Sequence, residues 1–532
     1  MTELSELPIK SSLDMHGNFG YDLIENKNKI VKDRNLNDSA LNIHAVNPKQ
    51  SIGRLIKEAF LKCLSDTSLT GPQNVVKDNS HIVMKAFWLL CFLASFSYFI
   101  YCIVQTVQTY LTYPTIITTE YVQEIPTQFP AISFCNMKIL DRTKSITQAY
   151  VSNYSSALNL SPFFFPTLLE WMYAQFYTLL QQINGDPSLT YTSRKAMGFQ
   201  IESMLVSCMF NYLSCNISDF TYFYHPKYGN CYTFNGVLPA KTISTPGLTY
   251  GLTLELYLGN PPVDTVYNYE DGVYVSIFNQ TDAPFTKMDV IKVPAGAETD
   301  LIMNRNFLSR LSPPYGKCMA TGFSSDLYNY IVNTLNVSYS QEYCYSLCMQ
   351  QQTKNNCSCV NLFLPMFLND NTSFCVSAQV DCMRNLANQF GNTIGNSICT
   401  AACPMECSTI EFDIKSYTGR YPTSFYTDVL QSWAQFNGIS LNYSDVPNSF
   451  AKVNIYYHSM QYKTAIQSQQ YQPIDLLGNL GGVMGLWIGG CVLTAVELIE
   501  LVFNFVFILV KYMLARRQNT IKILVNSNNQ YN

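Results

Sequence analysis

Cysteine is the residue type that decides what chemistry this chain can do. Fourteen of its 18 cysteines lie in one interval: Cys135, Cys208, Cys215, Cys231, Cys318, Cys344, Cys348, Cys357, Cys359, Cys375, Cys382, Cys399, Cys403 and Cys407. An even count reads as seven disulfides if that interval faces an oxidising compartment. Cys63, Cys91, Cys102 and Cys491 stand apart and read as free thiols. Cys357-Ser358-Cys359 and Cys403-Pro404-Met405-Glu406-Cys407 could be zinc-ligand pairs, but their spacing is not that of a zinc ribbon, so no metal is expected. No H-E-x-x-H, G-x-S-x-G or phosphate-loop pattern occurs, so nothing supports an enzyme or a resident cofactor.

Glu497 and Glu500 form a second group, because they sit inside an apolar run from about residue 474 to 510. A charge within a membrane span costs roughly 2.5–3.5 kcal/mol on insertion scales and is usually water-facing and functional. Three positions apart on a helix, the two share a face. They read as cation-attracting carboxylates lining a path; the alternative is a pair snorkelling at the cytoplasmic interface. Glycines crowd the first half of the same run: Gly478, Gly481, Gly482, Gly485, Gly489 and Gly490. Their four-residue recurrence fits close helix packing, and equally a helix break that turns carbonyls toward a pore.

The elements that position these groups follow from hydropathy. The chain is 48% hydrophobic and only 13% charged, about half the usual ~25%. Its net charge is −4 and no basic block stands out, which excludes nucleic acid as a partner. Residues 86–104 (AFWLLCFLASFSYFIYCIV) hold no charge over 19 positions and suit a membrane helix. Lys85 precedes them, and Lys511, Arg516 and Arg517 follow the second run. Basic residues on both distal flanks place both termini in the cytoplasm of a two-span plasma-membrane protein. The first span begins too far in for a cleaved signal peptide. The expected divisions are a cytoplasmic region 1–83, a first span 84–108, an exterior 109–472, a second span 473–511 and a cytoplasmic tail 512–532.

The exterior then holds all fourteen paired cysteines and the sequons at Asn153, Asn159, Asn216, Asn279, Asn336, Asn371 and Asn442, which are expected to carry glycans. Residues 249–259 and 271–278 read as strands, 51–65 as an amphipathic helix, and 162–209 as a helical, aromatic-rich insert. Nine cysteines between positions 344 and 407 imply short stapled helices and loops. The fold class is an α+β membrane protein with two transmembrane helices per subunit and a large disulfide-rich extracellular domain.

Several motifs carry a family resemblance. Phe129-Pro130-Ala131-Ile132-Ser133-Phe134-Cys135-Asn136, then Gly229-Asn230-Cys231-Tyr232-Thr233-Phe234-Asn235, then Leu311-Ser312-Pro313-Pro314-Tyr315-Gly316-Lys317-Cys318 occur in that order. Residues 476–498 (LLGNLGGVMGLWIGGCVLTAVEL) complete the set. Together they resemble the degenerin/epithelial sodium channel family over roughly residues 84–517, and most of all its invertebrate FMRFamide-gated members. The resemblance implies a clenched-hand exterior of palm, knuckle, finger, thumb and β-ball. It implies a sodium-preferring trimer, here with two further identical subunits, set in membrane lipid and blocked by amiloride, with Na+ the permeant ion. By rank it implies the pairs Cys135–Cys231, Cys208–Cys215, Cys318–Cys407, Cys344–Cys403, Cys348–Cys399, Cys357–Cys382 and Cys359–Cys375. It aligns Gly489-Gly490-Cys491 with the conducting constriction and gives Gly71, Tyr113 and Tyr315 roles in gating.

This sequence departs from the family pattern at four points. Thr70 stands before Gly71 where His is common, Cys491 where Ser is usual, Asn479 where acid-sensing members have Asp, and Tyr315 where the thumb usually has Trp. Two histidines in the exterior, His225 and His458, and three acids in 344–407 leave a proton sensor poorly supplied. Phe163, Phe164, Phe165 and Trp171, with Glu170 or Glu202, could instead hold a peptide with aromatic and cationic side chains; the alternative is that these aromatics pack the helices together. Acid-sensing or mechanically gated members of the same family would share every pore motif. A trimeric ATP-gated channel would need a lysine cluster and lacks the glycine-rich second span.

Overall fold

The computed structural model describes residues 52–69, 71–76, 81–158, 167–260, 270–285, 290–320, 322–368, 372–375, 379–391 and 393–528. Two compact units are present: Thr109–Gln472, and the segments on either side of it.

The central unit is built on two sheets. The larger has the order β1-β15-β12-β14-β9-β4-β5, with β13 also pairing β12. Its strands are β1 (Thr115–Gln123), β4 (Leu205–Phe210), β5 (Leu213–Ser214), β9 (Leu252–Tyr257), β12 (Ala297–Ser309), β13 (Ser408–Arg420), β14 (Phe450–Tyr457) and β15 (Gln461–Gln469). The smaller sheet has the order β11-β10-β3-β7-β6, from β3 (Ala131–Asn136), β6 (Phe220–His225), β7 (Gly229–Phe234), β10 (Gly272–Phe278) and β11 (Ile291–Pro294). A short pair, β2 (Thr127–Gln128) with β8 (Thr242–Ile243), is separate. Along β12, Ala297, Thr299, Leu301, Met303 and Arg305 are buried at every second position, the period a sheet with one covered face requires.

The first sequence motif is β3 with its approach. Phe129, Ala131, Ile132, Phe134 and Cys135 are fully buried, as expected for a strand second from neither edge. Phe129, Ile132 and Phe134 meet Phe234, Leu254, Leu256, Val273, Leu301 and Val453 in one core. The Asn235 amide fixes the turn into β3 by donating to the Phe129 and Pro130 carbonyls. Cys135 faces Cys231 across β3 and β7 with Cα atoms 4.4 Å apart, the narrow pair of an antiparallel ladder, and the two are bonded.

The cysteine-rich segment is a stapled helical layer. Cys344 and Cys348 lie one turn apart on the helix Gln341–Cys357 and bond Cys403 and Cys399 at the end of the helix Thr393–Ala402. Cys357–Cys382, Cys359–Cys375 and Cys318–Cys407 extend the ladder at its two ends, and Cys208–Cys215 closes the β4–β5 hairpin. Leu327, Ile331 and Leu347 pack among the rungs.

In the other unit, the helix Ile82–Leu111 is 30 residues long, about 45 Å, and exposes Phe87, Leu90, Leu93 and Tyr101. It is long and apolar enough to cross a membrane, as is Val492–Leu514. The second run is not one helix. It comprises Pro473–Ile488 and Val492–Asn528, so helix continues through most of the segment expected as a tail. Tyr98 packs on Trp487 with ring centroids 4.3 Å apart, joining the first span to the upper half of the second.

Candidate pore site

Residues 489–491 interrupt the second run. Gly489 has φ +66°, a left-handed backbone that costs other L-residues about 1–2 kcal/mol. The Gly490 N–H turns back to the Met484 carbonyl at 3.3 Å, and the Cys491 carbonyl restarts the helix by accepting from Thr494 N at 3.0 Å. A Cβ on Gly490 would lie 3.1 Å from Met484 Cγ and 3.4 Å from Leu69 Cδ2, so a bulkier residue there crowds the break. Of the two readings the glycine run allowed, a break is what occurs. Cys491 is exposed and outside the disulfides; Cys63, Cys91 and Cys102 are likewise not disulfide-bonded and are half-buried.

Glu497 and Glu500 lie one and a half to two and a half turns beyond the break, and their surroundings differ. Glu500 is exposed. Glu497 Oε2 accepts from Ser68 N at 2.9 Å, Thr67 Oγ1 at 3.1 Å and Ser68 Oγ at 3.2 Å. Glu497 is therefore not a bare carboxylate: the segment before the first span is tied to it. Both acids border a cavity of about 290 Å³ with Lys62, Cys63, Thr67 and Asn504. Gly71 ends that segment with φ +114°, and a Cβ there would meet Phe92 Cδ2 at 3.1 Å. Thr70 lies outside the described residues.

Tyr113 and Tyr315 meet edge to face, centroids 5.1 Å apart, with Tyr113 at φ +50°. Tyr315 thus packs on Tyr113 although it is smaller than the Trp usual there.

A profile described as amiloride-sensitive sodium channel matches residues 63–501. The chain belongs to the amiloride-sensitive sodium channel family. The epithelial sodium channel alpha subunit of Neoceratodus forsteri is 28% identical over 402 residues, 74% of this chain and 56% of its own. The alpha subunit of Homo sapiens is 30% identical over 321 residues, 59% of this chain and 46% of its own. The gamma-2 subunit of Xenopus laevis is 28% identical over 344 residues, 63% and 49%. These relatives are channel subunits, not enzymes, and the chain spans about half their length. A solved proton-activated chloride channel covers 80% of this chain and 96% of its own at 7% identity and a TM-score of 0.30, too low to argue a shared fold.

The candidate ligand residues of this family member are scattered. Phe163, Phe164 and Phe165 lie outside the described residues, and Glu170 lies in the helix Leu168–Gly185. Trp171 is half-buried on that helix. Further along it, Phe176 and Tyr177 are core: Tyr177 packs on Phe363 at 5.2 Å and donates to the Cys375 carbonyl at 3.1 Å. For those two rings the packing alternative holds. Exposed Glu202 borders a different cavity, about 900 Å³, with Phe199, Tyr257, Trp433, Arg142 and Lys144; Trp171 is not among its walls.

Two features of the exterior were not legible in the sequence. Asp282, Glu342, Glu406 and Glu411 border one cavity of about 420 Å³ beside Arg310, so few acids are nonetheless brought together. Their spread along the chain hid this. His225, packed against Tyr228 and Phe285, is held neutral: burial, then Lys227, lowers its pKa to about 3. Of the sequons, Asn153, Asn216, Asn336 and Asn442 are exposed. Asn279 is half-buried and donates to Thr281 Oγ1 at 2.8 Å. Asn159 and Asn371 lie outside the described residues.

Proposed function

We propose that this chain is one subunit of a homotrimeric, sodium-selective, amiloride-blocked channel of the plasma membrane, with both termini cytoplasmic. The observation that carries this is the break at Gly489–Cys491 between two apolar helices, followed by Glu497 and Glu500. Three copies around an axis would set backbone carbonyls at a constriction and rings of carboxylate below it, which attract cations and exclude anions. Assembly draws support from apolar surface that one copy leaves open. Phe425 and Phe436, 78% and 91% exposed, lie at the two ends of the helix Ser424–Phe436, and Ile117 and Tyr121 are exposed on β1. A second copy of the chain would cover such faces.

Opening is by an extracellular peptide of the FMRFamide type. The cavity beside Glu202 supports this, because it offers a carboxylate for a cationic side chain and aromatic walls for apolar ones. Acid gating is the second reading, favoured by the four acids around the smaller cavity. Neutral His225 does not contribute to it, since its pKa near 3 lies far below a physiological acid step. A peptide that binds the open state tenfold better biases opening by about 1.4 kcal/mol per site.

The test is a dose–response to FMRFamide-like peptides at constant pH on cells expressing this chain alone, with acid steps and pressure applied separately. Glu202→Gln and Trp433→Ala are expected to shift the midpoint at least tenfold. Shifts confined to Phe163→Ala, Phe164→Ala and Trp171→Ala would move the site to the aromatic helix. Current from acid or pressure with none from any peptide would reject peptide gating.

A further inference from the structure

Thr494 is 2% exposed although Val492 and Leu493 beside it are 77% and 70% exposed. Its hydroxyl oxygen accepts from the Cys491 N–H at 3.1 Å and lies 2.6 Å from Ser68 Oγ. Ser68 Oγ in turn is 3.2 Å from Glu497 Oε2. Each hydroxyl has one proton to give, and that of Thr494 goes to Ser68 Oγ at 2.6 Å rather than to Cys491 Sγ at 3.8 Å. All three contacts are satisfied together in one order: Cys491 N–H donates to Thr494, Thr494 O–H to Ser68, and Ser68 O–H to the Glu497 carboxylate. Such a chain polarises itself, and ends on a charge that strengthens it.

We propose that Thr494 and Ser68 are positioning residues that fix the backbone of the constriction by wiring the Cys491 N–H to Glu497. Ser68 Oγ closes the relay from 426 residues away in sequence, Ser68 N and Thr67 Oγ1 anchor it to Glu497, and Leu69 packs behind Gly490. In this arrangement Glu497 acts as the anchor of the relay, and Glu500 is the carboxylate left to face permeant ions. The inference rests on residues 489–491 forming the constriction.

The test uses the full chain in cells and two readouts. One is the rate at which a small methanethiosulfonate reagent modifies Cys491, taken as the difference from Cys491→Ser; it needs no opener. The other is the Na+/K+ permeability ratio. Thr494→Val, which keeps shape and loses the hydroxyl, and Ser68→Ala are each expected to change both readouts about fivefold, the worth of one hydrogen bond. The double variant is expected to be no worse than the worse single, because either cut breaks the same chain. Thr494→Ser and Ser68→Thr are expected to restore wild-type values, which also controls for misfolding. Additive effects, or single variants indistinguishable from wild type, would overturn the relay alone. A wild-type Cys491 that the reagent never reaches would overturn the constriction and the relay with it.

Discussion

Replacing Gly489 by alanine should close or disorder the path, for reasons that can be given a size. The native φ of +66° costs an L-residue about 1–2 kcal/mol. Alanine also favours uninterrupted helix over glycine by about 1 kcal/mol. Both terms push the same way, so each subunit moves about 2–3 kcal/mol toward a continuous helix. That is about a 30- to 150-fold shift in the ratio of broken to continuous forms, and more if subunits act together. Gly490→Ala is the internal control. Gly490 has no positive φ, and its new Cβ would press on Met484, a flexible side chain that can yield. Gly489→Asn is a second control, because Asn tolerates the left-handed region. The assay is unitary conductance and Na+/K+ permeability, normalised to surface protein. The expected order of damage is Gly489→Ala, then Gly490→Ala, then Gly489→Asn. Normal conduction in Gly489→Ala, or greater damage from Gly490→Ala, would refute the claim that the break is what conducts.

Glu500→Gln should reduce unitary sodium conductance at low ionic strength more than at high, measured in the same patches, because screening replaces what the carboxylate supplies. Glu497→Gln should instead slow or destabilise opening, seen as altered dwell times, because three donors lose a charged acceptor. The His225 pKa of about 3 lies below the unfolded value of ~6.5, so the folded state takes up fewer protons and stability falls as pH drops from about 6.5 toward 3. The loss at pH 5 is on the order of 2 kcal/mol, and His225→Phe should flatten that slope in thermal melts of the purified chain without creating or abolishing an acid-evoked current. Removing Cys348–Cys399 should cost well under the ~4 kcal/mol of an isolated loop of 51 residues, because Cys344–Cys403 still closes the chain one turn away; removing Cys318–Cys407 has no such cover, and melting temperatures compare the two.

What the sequence made legible was local or compositional. Nineteen uncharged residues announce the first span, and the alternating residues of β9 and β10 announce strands. The glycine run marked the second span as unusual, but spacing alone left helix packing and helix break on equal terms; the backbone at Gly489 separates them. Residues that act through distant partners were silent. Ser68 and Thr494 are unremarkable in sequence, and only the fold brings them within 2.6 Å. The grouping of acids around the smaller cavity was hidden for the same reason: Asp282 lies far before the cysteine-rich stretch, and Glu342 and Glu411 fall just outside its two ends. Aromatic residues serve cores and binding sites equally, so the composition of the 162–209 insert left both readings open; the packing of Tyr177 on Phe363 assigns that ring to the core.

The reversal potential of the current carried by this chain alone decides most directly whether it is a sodium channel. With the channel opened by peptide, acid or pressure, whichever evokes current, external Na+ is lowered tenfold against an impermeant cation. A sodium-selective pore shifts its reversal potential negative by about 59 mV, and external amiloride removes the current. A reversal potential that stays fixed under sodium replacement, or that follows chloride instead, would contradict it.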